Sequence, residues 1–164
     1  MVRLAQLPNN ILLALFLLCT FACETEKERF DVALDHGKLT KVKGVYFLFD
    51  ETLNGRIFSS FENGDTAAIA EYTEGVKNGV TRKWYEGGQL KFEGHYKDGN
   101  YEGSVTEWYP SGQAYSLFNY ENGKEVGRQQ AWLENGKFKA NYEVIGDRKY
   151  GLTGIKNCSN DWEE

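Results

Sequence analysis

The sequence predicts an all-β fold built from antiparallel β-hairpins with a 24-residue period. Three observations lead to this prediction: glycines at a constant spacing, alternation of apolar and polar residues, and Gly-containing turn dipeptides between the alternating segments. Self-similarity at a fixed period indicates a repeat architecture. The glycines that define the 24-residue period are Gly55, Gly79, Gly103, Gly127 and Gly151.

Each repeat has the composition of two strands joined by a tight turn. In the best-defined copy, Val80–Glu86 is rich in β-branched and aromatic residues. The segment Gln89–Lys97 then alternates with period two, which predicts a half-buried strand with Phe92 on its apolar side and Lys91 on its polar side. Asn-Gly and Asp-Gly dipeptides supply the positive φ angles of tight hairpin turns. The first turn of each repeat is expected near residues 63–64, 87–88, 111–112 and 135–136.

Residues 1–22 have the composition of a signal peptide. Ile11–Ala22 is an uncharged apolar run of 12 residues, whereas a membrane-spanning helix needs about 20. Cys23 follows the small residue Ala22 directly, and the next residues are strongly polar. This arrangement resembles a bacterial lipoprotein signal, which implies cleavage before Cys23 and lipid attachment to it. The alternative is a plain secretory signal, or an anchor with an incidental cysteine.

The remaining chain divides by composition into three parts. Residues 23–43 are rich in charge and are interpreted as a polar tether. From Gly44 the sequence becomes strand-like, as in the aromatic and β-branched run Val45–Phe49, so the repeat domain is assigned to residues 44–156. Residues 157–164 form an acidic tail. Cys158 lies in it, either as a free or intermolecularly bridged thiol or as a small half-buried side chain.

The charge balance excludes one class of partner. The whole chain has 19 Lys and Arg against 24 Asp and Glu, and its formal net charge is −5. Nucleic acid binding requires a basic surface, so a nucleic acid partner is not expected. Unaided binding to an anionic membrane is not expected either, because it requires clustered basic residues.

No catalytic, metal or cofactor motif stands out. The two histidines, His36 and His95, are far apart in sequence and are interpreted as solvated side chains. A metal site needs several converging Cys, His, Asp or Glu residues. The acidic residues Glu62, Glu86 and Glu134 recur beside the turn, which favours a role in the repeat over a role in one active site. We therefore expect a non-enzymatic protein without a cofactor.

The repeat copies share one pattern of residues. They are Gly79, Trp84, Tyr85, Gly88, Gln89, Tyr96, Gly99 and Gly103, followed by Trp108, Tyr109, Gly112, Gln113, Tyr120, Gly123 and Gly127. This pattern resembles a known family, the bacterial variant of the MORN repeat found in YwqK-type antitoxin-like proteins. The resemblance covers roughly residues 55–151 and implies a run of antiparallel hairpins that form an elongated, twisted, single-layer sheet with a binding or scaffolding function.

The aromatic columns of the repeat are the candidate binding residues. These are Trp84, Trp108 and Trp132, together with Tyr85 and Tyr109. Residues 24 apart would lie two strands apart on one face, so the tryptophans would line one face and the tyrosines the other. The rings could pack on one another to cover a single-layer sheet, with Trp108 the most covered. The alternative is an exposed aromatic strip that binds a protein strand, a peptide or a glycan.

These observations together predict a binding or scaffold protein held at the bacterial cell envelope by a lipid at Cys23, with the outer membrane favoured. Its partners would be the membrane, through the lipid anchor, and an unidentified protein or glycan. The alternative is an antitoxin-like protein that neutralises a partner toxin.

Overall fold

The computed structural model describes residues 29–154, which consist of strands and turns without any helix. The predicted signal peptide, Cys23 and Cys158 lie outside the described residues. Accordingly, the described part of the chain has no helix with the length and apolarity to cross a membrane.

Fourteen strands make up the described part of the chain. In chain order they are β1 (Phe30–Ala33), β2 (Leu39–Val42), β3 (Val45–Leu48), β4 (Glu51–Thr52), β5 (Gly55–Ser60), β6 (Thr66–Thr73), β7 (Val76–Trp84), β8 (Leu90–Lys97), β9 (Asn100–Trp108), β10 (Ala114–Glu121), β11 (Lys124–Glu125), β12 (Gly127–Trp132), β13 (Phe138–Ile145) and β14 (Arg148–Leu152).

Most of the strands belong to one large sheet, in which neighbours in sequence are usually neighbours in space. The order is β1-β5-β6-β7-β8-β9-β10-β12-β13-β14, and β11 pairs with β10 beside this path. A second sheet has the order β2-β3-β4. The all-β prediction is confirmed. The large sheet is mixed, because β1, from the range predicted to be a polar tether, runs parallel to β5.

The range predicted to be a polar tether contains two strands, β1 and β2. Val32 in β1 is buried, and it belongs to a cluster with Leu48 from the second sheet, Leu53 just after that sheet, and Ile57 and Tyr72 from the large sheet. The described domain therefore begins before Gly44, and the second sheet supplies part of the core beside β5 and β6. This packing differs from the expected single layer because the apolar residues near Val32 find partners in strands that are distant in sequence.

The hairpin turns lie at the expected positions. In the turn after β7, the Tyr85 amide donates to the Gln89 carbonyl at 2.8 Å and the Gly88 amide donates to the Tyr85 carbonyl at 3.0 Å. The other three turns of this kind have the same two bonds, at residues 61–65, 109–113 and 133–137. At the opposite end of the hairpins, Asp98 and Gly99 have φ angles of 48° and 81°. Two consecutive positive φ angles match the tight hairpin turn expected of Asp-Gly.

Gly79 shows why a glycine is needed within a strand. Its φ is 111°, and a Cβ atom added there would collide with the Glu71 side chain. The Glu71 carboxylate reaches across this position and accepts a hydrogen bond from the Val80 amide at 3.0 Å. A side chain at residue 79 would therefore impose both backbone strain and a clash.

The buried residues of the large sheet differ from the expected aromatic columns. A second core cluster consists of Ala131, Ala140 and Tyr142. Between the two clusters, the buried side chains come from the middle of the strands, and they are Thr81, Phe92, Val105, Ser116 and Gln129. The three tryptophans are all half-buried. Their expected order of burial, with Trp108 the most covered, stays a prediction.

Candidate functional site

One face of the large sheet carries a row of cross-strand neighbours from β7 to β10. Lys83 lies opposite Phe92, Phe92 lies opposite Glu107, and Glu107 lies opposite Ser116. Residues directly opposite one another in adjacent strands share a face. We call the face that contains this row the groove face.

β-Bulges add further side chains to the groove face. The pairing of β7 with β8 shifts between Lys83 and Trp84, so that Lys91 has no direct partner. A bulged residue turns its side chain away from the strict alternation of a regular strand. The Lys91 Nζ consequently lies over the Tyr85 ring, 5.1 Å from its centroid. The prediction that Lys91 lies on the polar side, opposite Phe92, is therefore wrong, because both side chains line the same hollow.

Two adjoining hollows on this face form a groove. The first has a volume of about 320 Å³ and the second about 360 Å³, within the range of about 300–1,000 Å³ typical of ligand sites. They share Phe92, Glu107 and Tyr115. The first is lined in addition by Lys83, Tyr85, Lys91, Trp108 and Tyr109. Lys139 and Tyr120 are among the residues that line the second.

The two predicted tyrosines of the site are held in place by hydrogen bonds between hairpins. The Tyr85 hydroxyl donates to the Trp108 carbonyl at 2.9 Å, and the Tyr109 hydroxyl donates to the Trp132 carbonyl at 2.9 Å. Tyr109 also makes an edge contact with Tyr115, with ring centroids 5.2 Å apart. Because these rings are fixed before any ligand arrives, less conformational entropy is lost on binding.

Lysine ammonium groups lie over the aromatic rings of the groove. The Lys83 Nζ is 5.3 Å from the centroid of the Phe92 ring. The Lys139 Nζ is 5.1 Å from the centroid of the Tyr115 ring and donates to its hydroxyl at 3.1 Å. That hydrogen bond holds the pKa of Lys139 above its ordinary value. Both ammonium groups are therefore positioned by ring contacts.

A stack of tyrosines extends from the second hollow along the groove face. Tyr101 lies between Tyr96 and Tyr120, with ring centroids 4.6 Å and 5.0 Å away. Burial, and then the hydrogen bond with Tyr101, raises the pKa of Tyr96. Lys77 lies over the Tyr96 ring at 4.6 Å. Burial, followed by repulsion from Lys83 and Lys41, lowers the pKa of Lys77, so positive charges crowd this part of the sheet.

The tryptophans differ from the tyrosines in their position relative to the groove face. Trp84 and Lys83 are consecutive in β7, so their side chains point to opposite faces. Trp132 packs against Phe138, with ring centroids 5.8 Å apart, and no ring contact between two tryptophans occurs within residues 29–154. Trp108 likewise follows Glu107 in β9, and it borders the first hollow, where its backbone carbonyl accepts the Tyr85 hydroxyl. The groove thus contains the predicted residues Tyr85 and Tyr109, has Trp108 at its edge, and leaves Trp84 and Trp132 outside it.

Several groove residues were missed by reasoning from the sequence, namely Lys83, Lys91, Phe92, Tyr115 and Lys139. Lys91, Tyr115 and Lys139 follow the turns at an equal spacing of 24 residues, which is a visible signal. The sequence alone could not predict that these side chains lie on the groove face, because the bulge that turns them there depends on the partner strand. Within residues 29–154, no three His, Cys, Asp or Glu side chains come together as a possible metal site.

Comparison of the chain with models of protein families, with curated proteins and with solved structures found no match in any of the three.

Proposed function

We propose that this protein is a non-enzymatic binding protein of the bacterial cell envelope, held at the membrane by a lipid on Cys23. The observation that carries the binding function is the groove, in which Tyr85, Tyr109 and Tyr115 form a fixed aromatic wall. Fixed aromatic rings with a few polar groups are the usual composition of a small-molecule or glycan pocket.

We further propose that the chain is a variant MORN-repeat protein whose unit is a 24-residue hairpin. Two kinds of contact support this proposal. The Tyr85 and Tyr109 hydroxyls each bond to a carbonyl 23 residues ahead, and four turns share one pair of backbone hydrogen bonds. In such an array each unit contacts only its neighbours, and the groove would form where several units present the same positions side by side.

The anchor rests on the sequence before the described residues. An apolar run of 12 residues ends at Ala22 and is followed by Cys23 and a polar segment. Stable membrane attachment requires more than one acyl chain, and mature bacterial lipoproteins resemble that case. Metabolic labelling with a radioactive fatty acid should label the protein, and Cys23→Ser should abolish the label and release the protein from the membrane fraction. Retention of the variant in the membrane pellet would contradict the anchor.

The binding function is tested by capture of partners from intact envelopes with the full-length protein as bait. A double variant, Lys83→Glu with Lys91→Glu, reverses two charges in the groove. The matched control is Lys97→Glu with Lys124→Glu, two exposed lysines at turns outside the groove. We expect the parent and the control to retain the same bound material and the groove variant to lose it. Equal capture by all three proteins would refute the groove as the binding site.

A further inference from the structure

The groove is positively charged in a protein whose net charge is −5. Its two hollows contain three lysines, Lys83, Lys91 and Lys139, and one carboxylate, Glu107. Within residues 29–154, none of the three lysines forms an ion pair with a carboxylate. Lys149, farther along the groove face, is by contrast paired with Glu125 at 2.6 Å.

Charges on the opposite face are arranged differently. Arg82 is next to Lys83 in β7 and therefore points to the other side, where it pairs with Glu93 at 2.6 Å. Arg56 pairs in the same way with Asp31, its neighbour in β1. These two arginines of the opposite face thus have carboxylate partners, whereas the three groove lysines lie over aromatic rings. A ring contact leaves the other side of an ammonium group open to an anion.

The floor of the groove limits what kind of ligand can bind. It is formed by β7 to β10 together with β12 and β13, and each of these strands has a strand of the sheet on both sides. Their backbone N–H and C=O groups are used in the sheet, so a peptide cannot bind here by adding a strand. Recognition must come from side chains, namely ring faces, ammonium groups, and the Glu107 carboxylate, which accepts a hydrogen bond from the Ser116 hydroxyl at 3.3 Å.

We propose that the groove binds an anionic polysaccharide whose sugar units carry carboxylates. The apolar faces of the sugar rings would lie on Tyr85, Tyr109 and Tyr115. The sugar carboxylates would bind Lys83, Lys91 and Lys139, and sugar hydroxyls would donate to Glu107. The groove is open and composed of two adjoining hollows, which suits a chain of sugar units better than a single small molecule. This inference rests on the proposed binding function and names the ligand class of the same site.

The test measures binding of the full-length protein, purified in detergent, to polygalacturonate by affinity electrophoresis. Dextran serves as the neutral polysaccharide, poly-glutamate as the acidic polypeptide, and vesicles with anionic lipids as the membrane probe. We expect polygalacturonate to bind, with at least tenfold weaker binding to each of the other three. Equal or tighter binding to dextran, poly-glutamate or vesicles would overturn the assignment to an anionic polysaccharide.

Two variants locate the binding in the groove and give opposite expected changes. Lys83→Glu with Lys91→Glu should weaken polygalacturonate binding at least tenfold, while the Lys97→Glu and Lys124→Glu control leaves it unchanged. Glu107→Gln removes the single negative charge in the groove but keeps an oxygen that accepts hydrogen bonds from sugar hydroxyls. It should therefore tighten binding about two- to fivefold, in line with the few tenths of a kcal/mol up to about 1 kcal/mol of an exposed charge interaction. Weaker binding by Glu107→Gln, or no effect of the double variant, would overturn the proposal.

The outcome also separates this inference from the proposed function. If envelope capture depends on Lys83 and Lys91 while polygalacturonate does not bind, the binding function stands and the ligand class is wrong. If polygalacturonate does not bind and capture is also unaffected by the groove variant, both are wrong.

Discussion

The Tyr85 hydroxyl donates a 2.9 Å hydrogen bond to the backbone carbonyl of Trp108, which lies 23 residues ahead in the next hairpin. Tyr109 makes the same bond, at the same distance, to the Trp132 carbonyl. The Trp-Tyr dipeptide therefore connects hairpins through its tyrosine hydroxyl and its tryptophan backbone. The corresponding turn residues at the two ends, Phe61 and Leu133, have no hydroxyl group.

Removing either hydroxyl tests the strength of this connection. Tyr85→Phe and Tyr109→Phe should each lower the free energy of unfolding by about 0.5–1.5 kcal/mol, the net value of one hydrogen bond. Tyr150→Phe is the matched control, because Tyr150 is 52% exposed. Urea unfolding of the three variants and the parent provides the measurement. A Tyr85 or Tyr109 variant as stable as the control would show that the bond contributes nothing.

Where β10 and β12 separate, the Gln129 side chain makes hydrogen bonds that the backbone of the partner strand would otherwise make. The β10–β12 pairing covers only Ser116 with Ala131 and Leu117 with Gln130. Beyond it, the Gln129 side chain accepts from the Asn119 amide and donates to the Asn119 carbonyl, both at 2.9 Å. Gln129 is 0% exposed, so its amide group completes the sheet from inside.

Gln129→Leu should therefore be among the most destabilising changes in the sheet. It leaves the Asn119 amide without its partner, at about 1–3 kcal/mol. It also removes the side-chain bonds to the Asn119 and Val126 carbonyls, although the Val126 amide still donates to Asn119. We therefore expect a loss of roughly 2–5 kcal/mol in unfolding free energy. Gln130→Leu, one residue along and half-buried, is the control and should cost much less. The measurement is chemical denaturation monitored by tryptophan fluorescence. Similar losses for both variants would contradict the role assigned to Gln129.

A substitution at Thr81 is expected to stabilise the fold, in contrast to Gln129→Leu. Thr81 is 2% exposed, and its Oγ1 has no hydrogen-bond partner among residues 29–154. Burying an unsatisfied hydroxyl costs free energy, so Thr81→Val, which keeps the shape, should raise the melting midpoint and add about 1 kcal/mol of stability. Thr106→Val, at a half-buried position in β9, should change stability less. A lower melting midpoint for Thr81→Val would mean that the hydroxyl has a partner in solution.

Buried tyrosines make the fold sensitive to high pH. Burial is the largest cause that raises the pKa of Tyr72 from 10.0 to about 12, followed by its contacts with Tyr46. Because the folded-state pKa exceeds the unfolded value, the neutral tyrosine stabilises the fold fully below pH 10, and this contribution is lost as pH rises from about 10 to about 12. The pKa of Lys77 is lowered mainly by burial. Its effect is therefore opposite, because the free energy of unfolding rises with pH up to 10.5, the pKa of Lys77 in the unfolded chain.

The pH dependence is measured as the urea midpoint between pH 9 and pH 12. We expect the urea midpoint to decline above pH 10.5, because the contribution of Lys77 to stability no longer changes with pH in that range. Tyr72→Phe should make this decline shallower, whereas Tyr150→Phe should leave its slope unchanged. An unchanged slope for Tyr72→Phe would contradict the assignment of the decline to Tyr72.

The tryptophans remain to be ranked by experiment. Full truncation of a buried Trp costs about 3–5 kcal/mol, but Trp84, Trp108 and Trp132 are all half-buried, so smaller losses are expected. Trp108→Ala should cost the most, because its repeat has another repeat on both sides, although no two tryptophan rings are in contact within residues 29–154. Three melting curves against the parent provide the comparison. Equal, negligible shifts would favour an exposed binding role for the tryptophans over a packing role.

The local features of the fold could be predicted from the sequence because they depend on neighbouring residues. Asp98 and Gly99 form the tight hairpin turn that an Asp-Gly pair favours, and both residues have positive φ angles. The turn near 87–88 closes through bonds between Tyr85, Gly88 and Gln89, which lie within five residues of one another. Alternation within each strand likewise predicts the all-β class without knowledge of the partner strand.

The tertiary structure alone decided which side chains meet. Lys91 reaches the groove because β8 bulges against β7, and a bulge exists only relative to a partner strand. The parallel pairing of Phe30 with Gly55 joins residues about 25 positions apart, where local propensity carries no information. Gln129 is buried because β12 separates from β10 beside it. Periodicity determines the strands and turns, whereas register and bulges, which are properties of strand pairs, determine the faces and therefore the site.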